Sequence, residues 1–434
     1  MTRDKNLGLL ELIAIALGGM VGGGIFTILG ISVSLIGNLT PIAIILGGLI
    51  ASLAAYSYVK LGLYYKDEGA TYAFYKKTYP NSHFSASVIG WFTIFGYIST
   101  LALYAYTFSS YAISSTIYAD DILVRKLIAI AVIAVFVLIN VWSVKGMGKI
   151  EDIMVYTKLL VLMIISFILI QHGSGNFGDF VNNLVLDTKS SGILNILIVA
   201  SLTFVAYEGF QLVINAVNEM DNPEKNIPRA IYSAIALAIF IYVVIAFGAL
   251  LAIPQTDIIR DKEYALAAGA ANILGNIGAF MVILGALLAT SSAISGTVFG
   301  SSRQMAEIAD DGYFPKWFSI RKLSVPINAI LTMGILAAGL IMIGGLTLIL
   351  EFGSITFLMV SLLMAIANYK IRDKTNSSPF LTILAIFGLG IGGILILYYE
   401  FSHKWEQMLA IIVLYILLAI GAWLFSKSKV TRLV

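Results

Sequence analysis

Three features of the sequence have residue types that can do chemistry in an apolar setting. The stretch 18–26, GGMVGGGIF, holds five glycines in nine residues. A lone cation, Lys158, interrupts MVYTKLLVLMIISFILI, and an acid next to a glycine, Glu208–Gly209, interrupts TFVAYEGFQ. Glycine costs roughly 1 kcal/mol relative to alanine in a helix interior, so five of them mark backbone that is not meant to stay helical. Unwound backbone exposes N–H and C=O groups, which survive at membrane depth only when buried in protein or lining a cavity. The positive end of a broken helix attracts an anionic group such as a carboxylate. The plainer reading of such glycines is close helix packing, since small residues let helices touch. An ionisable residue inside a membrane span faces a cavity or a partner by default. The plainer reading of Lys158 is a stem that snorkels to the interface.

These residues need a membrane scaffold, and the composition supplies one. Of the 434 residues, 59% are hydrophobic and only 12% charged, and mean hydropathy is +0.93. A soluble chain carries about 25% charge. Runs such as 127–141 and 409–425 hold no charge at all. The pattern predicts an all-α membrane protein of twelve spans, at 8–36 (broken), 40–64, 84–117, 125–142, 150–171, 192–218 (broken), 229–252, 266–302, 325–343, 347–369, 380–399 and 407–425. Of 27 Lys and Arg residues, twenty fall in segments on the side of the N-terminus and six on the other, Lys158 being the remaining one. The positive-inside rule then places both termini in the cytoplasm and the chain in the cell membrane. On a 1.5 Å rise Lys158 lies about 12 Å inside its span. Cysteine is absent and the three histidines lie apart, so neither a metal site nor a cofactor is expected, and neither is a nucleic-acid partner.

The two breaks open the first and sixth spans. That divides the chain into 1–172 with spans one to five, 192–370 with spans six to ten, and 379–434 with the last two spans and a tail. Five spans per set give the sets opposite topology. Paired glycine-interrupted segments at matching positions are the strongest sequence pointer to a transporter binding site.

Four stretches carry a family likeness: LGLLELIAIALGGMVGGGIF, EGATYAFYKKTYP, FVAYEGFQLVINAVNEMDNPEKNIPRAI and SSRQMAEIADDGYFPKWFSIRKLSVPINAI. In this order, across about three quarters of the chain, they resemble the amino acid–polyamine–organocation transporter superfamily. The resemblance implies a five-plus-five inverted repeat with broken first and sixth helices, two added C-terminal helices, and amino acid or polyamine substrates. It implies that the α-carboxylate meets backbone N–H groups around Gly22, Gly23 and Gly24. The α-amino group then meets carbonyls near Met20, Phe204 and Tyr207, with Phe204, Tyr207 and Tyr104 closing the pocket beside Gly209. Glu208 departs from the family, which usually has an apolar residue there. Its role stays open between reading a substrate amine, proton transfer and a structural hydrogen bond. The small and apolar walls favour neutral amino acids with broad selectivity.

In sodium-coupled relatives a cation sits between the first, fifth and eighth spans. Here the resemblance offers the Gly19 and Val21 carbonyls, the hydroxyls of Ser291 and Ser292 in ATSSAIS, and Lys158 where the ion would be. The expectation is that protons, rather than sodium, drive uptake through Lys158. The alternatives are a permanent charge in that place, a sodium symporter, or an amino acid/amine exchanger. A channel would want rings of carbonyls or charges along a pore. An intramembrane enzyme would want convergent acid, base or metal-binding residues, and no such cluster is visible in the spans. NEMDNPEKNIPRA reads as a cytoplasmic hinge or gate, and MAEIADDGYFP as a short interfacial helix ending in a turn.

Overall fold

A computed structural model describes residues 7–142, 147–261, 264–322 and 325–433, with side chains described outside 147–153 and 428–433. Of the cations behind the predicted orientation, Arg3, Lys5, Lys145 and Lys262 lie outside the described residues. The helices in chain order are α1 (Leu9–Met20), α2 (Gly24–Ile36), α3 (Thr40–Tyr65), α4 (Ala70–Thr78), α5 (His83–Ile113), α6 (Ile122–Trp142), α7 (Met147–Gly173), α8 (Phe177–Leu202), α9 (Leu212–Asn215), α10 (Pro223–Ala252), α11 (Gln255–Arg260), α12 (Ala265–Asp310), α13 (Ile327–Ile343), α14 (Leu346–Lys370), α15 (Arg372–Thr375), α16 (Pro379–His403) and α17 (Trp405–Leu433). Among the described residues the only β pairings are two isolated bridges.

The apolar sequence dictates this helical outcome, because a helix satisfies its backbone polar groups within one segment. Among the described residues nine helical stretches are long and apolar enough to cross a bilayer, and 9–20 and 327–343 are shorter apolar helices. Three of the nine, Gly24–Tyr65 at 42 residues, Ala265–Asp310 at 46 and Met154–Asn215 at 62, are about twice or more the roughly 20 residues of a single crossing. The protein is an integral membrane protein. α5 and α14 are mostly enclosed by protein, whereas α6, α16 and α17 turn most of their surface outward. Buried hydroxyls bond back to the preceding turn, as from Ser166 to Leu162, Thr107 to Leu103 and Thr290 to Ala286, which leaves no orphan hydroxyl at those positions.

Two boundaries differ from the sequence-based reading. α8 begins at Phe177 rather than near 192, and it bends at Gly192, where φ is +65°. Its first part exposes Phe177, Val181, Val185 and Leu186, an apolar stripe suited to the membrane surface. The segment MAEIADD is not a separate short helix. Its residues up to Asp310 form the last turns of α12, which itself bends at Gly275 (φ +65°), and the chain turns at Asp311 and Gly312. In the segment 216–230, Pro223 starts α10 and Pro228 lies within it, the first at a position where its missing N–H costs nothing.

The first and second breaks lie back to back. A Cβ on Gly209 would sit 2.7 Å from the Gly19 carbonyl carbon, and one on Gly24 2.9 Å from the Ala206 Cα. Gly209 also has a φ of +124°, which side-chain-bearing residues avoid. The G209A substitution is therefore expected to destabilise the protein by about 1–3 kcal/mol or more through overpacking and strain. Gly178, with open space around its Cβ position in α8, should tolerate G178A with a gain of up to about 1 kcal/mol. Thermal melting of the purified variants checks both.

Candidate functional site

The first break arises where α1 stops at Met20. Val21 still donates to Leu17 O at 2.9 Å, Gly22 folds back onto Met20 O at 2.9 Å, and α2 starts at Gly24. Gly23 precedes α2 and has no side chain with which to cap it, so the first-turn N–H groups of α2 lack intrahelical partners. At the second break α8 ends at Leu202 and tightens into a 3₁₀ turn over Thr203–Tyr207. Glu208 is extended, and the chain resumes as the single turn α9. The segments are paired beyond the breaks as well: Leu7 N donates to Glu219 O and Asp221 N to Leu7 O, at 3.2 and 3.1 Å.

Three side chains tie unwound carbonyls to the surrounding helices. Lys158, fully buried on α7, donates to Gly18 O at 3.2 Å, Val21 O at 2.7 Å and Ser292 Oγ at 2.8 Å. Tyr104 on α5 donates to Gly19 O at 3.0 Å. Tyr242 on α10 donates to Met20 O at 2.7 Å and lies 2.9 Å from Ala206 O, so one hydroxyl spans both breaks. Lys158 is thus held in protein rather than reaching for the interface.

Of the sequence-predicted residues, Val21, Ser292 and Lys158 come together. Gly18 stands where Gly19 was expected, because the Gly19 carbonyl accepts the Tyr104 hydroxyl. The hydroxyl bonded to Lys158 from α12 is that of Ser292, one position beyond Ser291, which is only partly buried. Tyr104 acts on the first break through its hydroxyl as well as its ring. Phe204 and Tyr207 are both buried, and the Tyr207 hydroxyl donates to Ile44 O on α3 at 2.8 Å. Gly22 packs on Ala293 and Tyr104, and Gly23 on Thr107. The glycines of the first break therefore admit neighbouring chain at close range, a packing role beside their conformational one.

Glu208 is buried and accepts a short hydrogen bond from Gln211. Gln211 also donates to Tyr97 Oη at 3.0 Å and accepts from Gly209 N at 3.2 Å. The acid is thereby part of a polar chain that holds the second break in shape. Sequence reasoning missed Tyr242 and Gln211. Tyr242 had a faint signal as a single hydroxyl in an otherwise apolar run, AIALAIFIYVVIAF.

At the α4 end of the bundle lies a cavity of about 390 Å³, lined in part by Lys66, Asp67, Glu68, Asn218, Glu307 and Arg321. Polar contacts cross it: Asn218 donates to Glu68 at 2.8 Å, and Lys66 pairs with Glu224 at 3.1 Å. Beside it Tyr72 and Lys76 both donate to Asp311 Oδ2, at 2.7 and 2.6 Å. Burial, and then the Asp311 carboxylate, keep the Tyr72 hydroxyl protonated well above its usual range, so it remains a donor. The contacts tie the α3–α4 link to the α9–α10 link and the start of α10, and α4 to Asp311 just past α12.

The Tyr242 bridge yields a direct expectation. Y242F leaves the ring in place and removes the single hydroxyl proton that lies between the Met20 and Ala206 carbonyls, at a cost of about 1–3 kcal/mol. Thermal melting of the purified variant should fall accordingly.

Comparison with known proteins agrees with this architecture. The family described as Amino acid permease matches residues 7–420. An inner membrane transport protein of Escherichia coli is 28% identical over 86% of this chain and 86% of its own length. A cationic amino acid transporter of Arabidopsis thaliana is 24% identical over 89% of this chain and 69% of its own. The small subunit 2 of the large neutral amino acids transporter of Oryctolagus cuniculus is 26% identical, over 75% and 62%. With a family match across nearly its whole length, broken helices and relatives of this kind, the chain belongs to the amino acid permease family and is a membrane transporter, not an enzyme.

Proposed function

We propose that this transporter takes up amino acids by alternating access and that a proton on Lys158, rather than sodium, couples the cycle. In this reading the chain has twelve spans, with 1–172 and 192–370 as inverted repeats, 379–434 as an added pair with its tail, and both termini in the cytoplasm. The observation that carries the proposal is the Lys158 ammonium, set between the Gly18 and Val21 carbonyls and the Ser292 hydroxyl. Such an oxygen set suits a hard monovalent cation, and the ammonium stands in for one. A sodium ion at contact distance would be repelled by it.

The proton then has a mechanical consequence. Charged Lys158 joins α1, α7 and α12, and hydrogen bonds from an ionised donor are about twice as strong as neutral ones. Releasing the proton weakens all three ties together and frees α1 to move. Substrate binding would use the other face of the same break: the unfilled N–H groups at the start of α2 for the carboxylate, and carbonyls at the end of the 3₁₀ turn for the amine. The back-to-back glycines would separate to make that room. The polar network at the α4 end would be the barrier on the cytoplasmic side.

Neutral side chains are favoured because Glu208, the acid nearest the second break, already accepts from Gln211. The relatives bear names for both cationic and neutral substrates, so the walls of this chain decide. Broad selectivity follows from recognition through backbone.

Uptake by K158A in proteoliposomes separates coupling from binding. Accumulation driven by an imposed pH gradient should be abolished, while counterflow of labelled amino acid at equal pH on both faces persists. Accumulation that still follows the pH gradient, or wild-type uptake that requires sodium, would rule out the lysine as carrier.

A further inference from the structure

Two more acids are buried away from the breaks, in the helix pair α14–α16. Glu351 in the second turn of α14 and Glu400 in the last turn of α16 are 1% and 0% exposed, and Lys404 brings them to one place: its ammonium pairs with Glu351 and its backbone N–H donates to Glu400 O at 2.9 Å. Lys404, in the link to α17, makes a short ion pair with Glu351 Oε1. Among the described residues, Glu351 Oε2 and both oxygens of Glu400 have no donor. Two ionised carboxylates would face each other as acceptors only, with one ammonium against two negative charges. Buried acceptors without donors are costly, and like charges at contact cannot both stay ionised.

We propose that Glu351 and Glu400 bind one proton between them, forming a proton-binding site separate from Lys158. The shared proton supplies the missing O–H donor, satisfies one oxygen of each acid and brings the trio to zero net charge. Burial by itself would lower the Lys404 ammonium, but Glu351 first, with Tyr399 and Glu400, together hold it above its usual value. Lys404 therefore stays charged at neutral pH, and the titrating members are the acids. Among the described residues, the other groups bearing on the trio are Tyr399 of α16, with His403 stacked on its ring at 5.1 Å. From α17 come Glu406, at its exposed start, and Tyr415, whose hydroxyl bonds with that of Thr356 at 2.8 Å. From α5, the neutral Ser99 donates to Ile349 O at 2.6 Å.

The site also touches the transport machinery. Three residues beyond Glu351, Ser354 donates to Leu202 O at 3.1 Å, where α8 gives way to the second break. On α16, a Cβ at Gly392 would lie 3.1 Å from Ser201 Oγ. The helices that hold the proton are thus those that buttress the broken sixth segment.

Infrared difference spectroscopy of the full-length protein in liposomes tests the proposal through the carbonyl stretch of protonated carboxyl groups. E400Q should lose one such band, because Glu351 then ionises against Lys404. E351Q should lose the same band, because Glu400 then faces only the lysine. The double variant should lose no more than either single one. K404M, read independently of the acid variants, should add a band, because removing the cation neutralises the second acid. A spectrum in which neither single variant loses a band would mean that both acids are ionised, and a double loss in the double variant would mean two independent protons. Either result overturns the shared site, and neither depends on whether Lys158 carries the coupling proton.

Discussion

Backbone groups left unpaired in a membrane must find partners in the protein, and that constraint organises this structure. Two helices stop partway, at Met20 and Leu202, and the carbonyls they release are collected by Lys158, Tyr104 and Tyr242. These side chains come from α7, α5 and α10, so each break is held by helices that are themselves continuous. Tyr242 goes further and holds the breaks to each other. A bilayer offers no water to do this work, which is why the donors are a buried ammonium and buried phenols rather than solvent.

The same constraint explains the glycines. Their cost as helix residues is offset by what their bareness permits, namely close backbone contact across the two breaks at Gly19–Gly209 and Gly24–Ala206. A segment held by hydrogen bonds and contacts of this kind, rather than by continuous helix, depends on a few bonds for its position. Changing the charge on one donor alters several of those bonds at once. That is the economy of putting a lysine where three oxygens converge.

Much of this was legible in the sequence, because the signals were costs. Glycines in an apolar span, a lysine in a span and an acid before a glycine each violate a local rule, and each sits at a structural special point. The register one residue either side was not legible. Gly18 rather than Gly19 faces Lys158, and of the two expected hydroxyls only Ser292 bonds to it, because of how α1 and α12 turn, which depends on packing across the bundle. Tyr242 was missed because a tyrosine in a span breaks no rule. Glu351 and Glu400 were missed because each lies near a span end, where acids are ordinary, and only the fold brings together residues some fifty positions apart. The early start of α8 hid in a polar stretch whose apolar stripe shows only once it is helical.

Nitrogen-15 NMR of the Lys158 side chain in nanodiscs, assigned by difference from K158R, measures the protonation state on which the coupling account rests. The account predicts that the Nζ signal moves from its ammonium to its amine position within the pH range over which uptake changes. A signal that stays at the ammonium position through that range would make the residue a fixed strut and contradict the account.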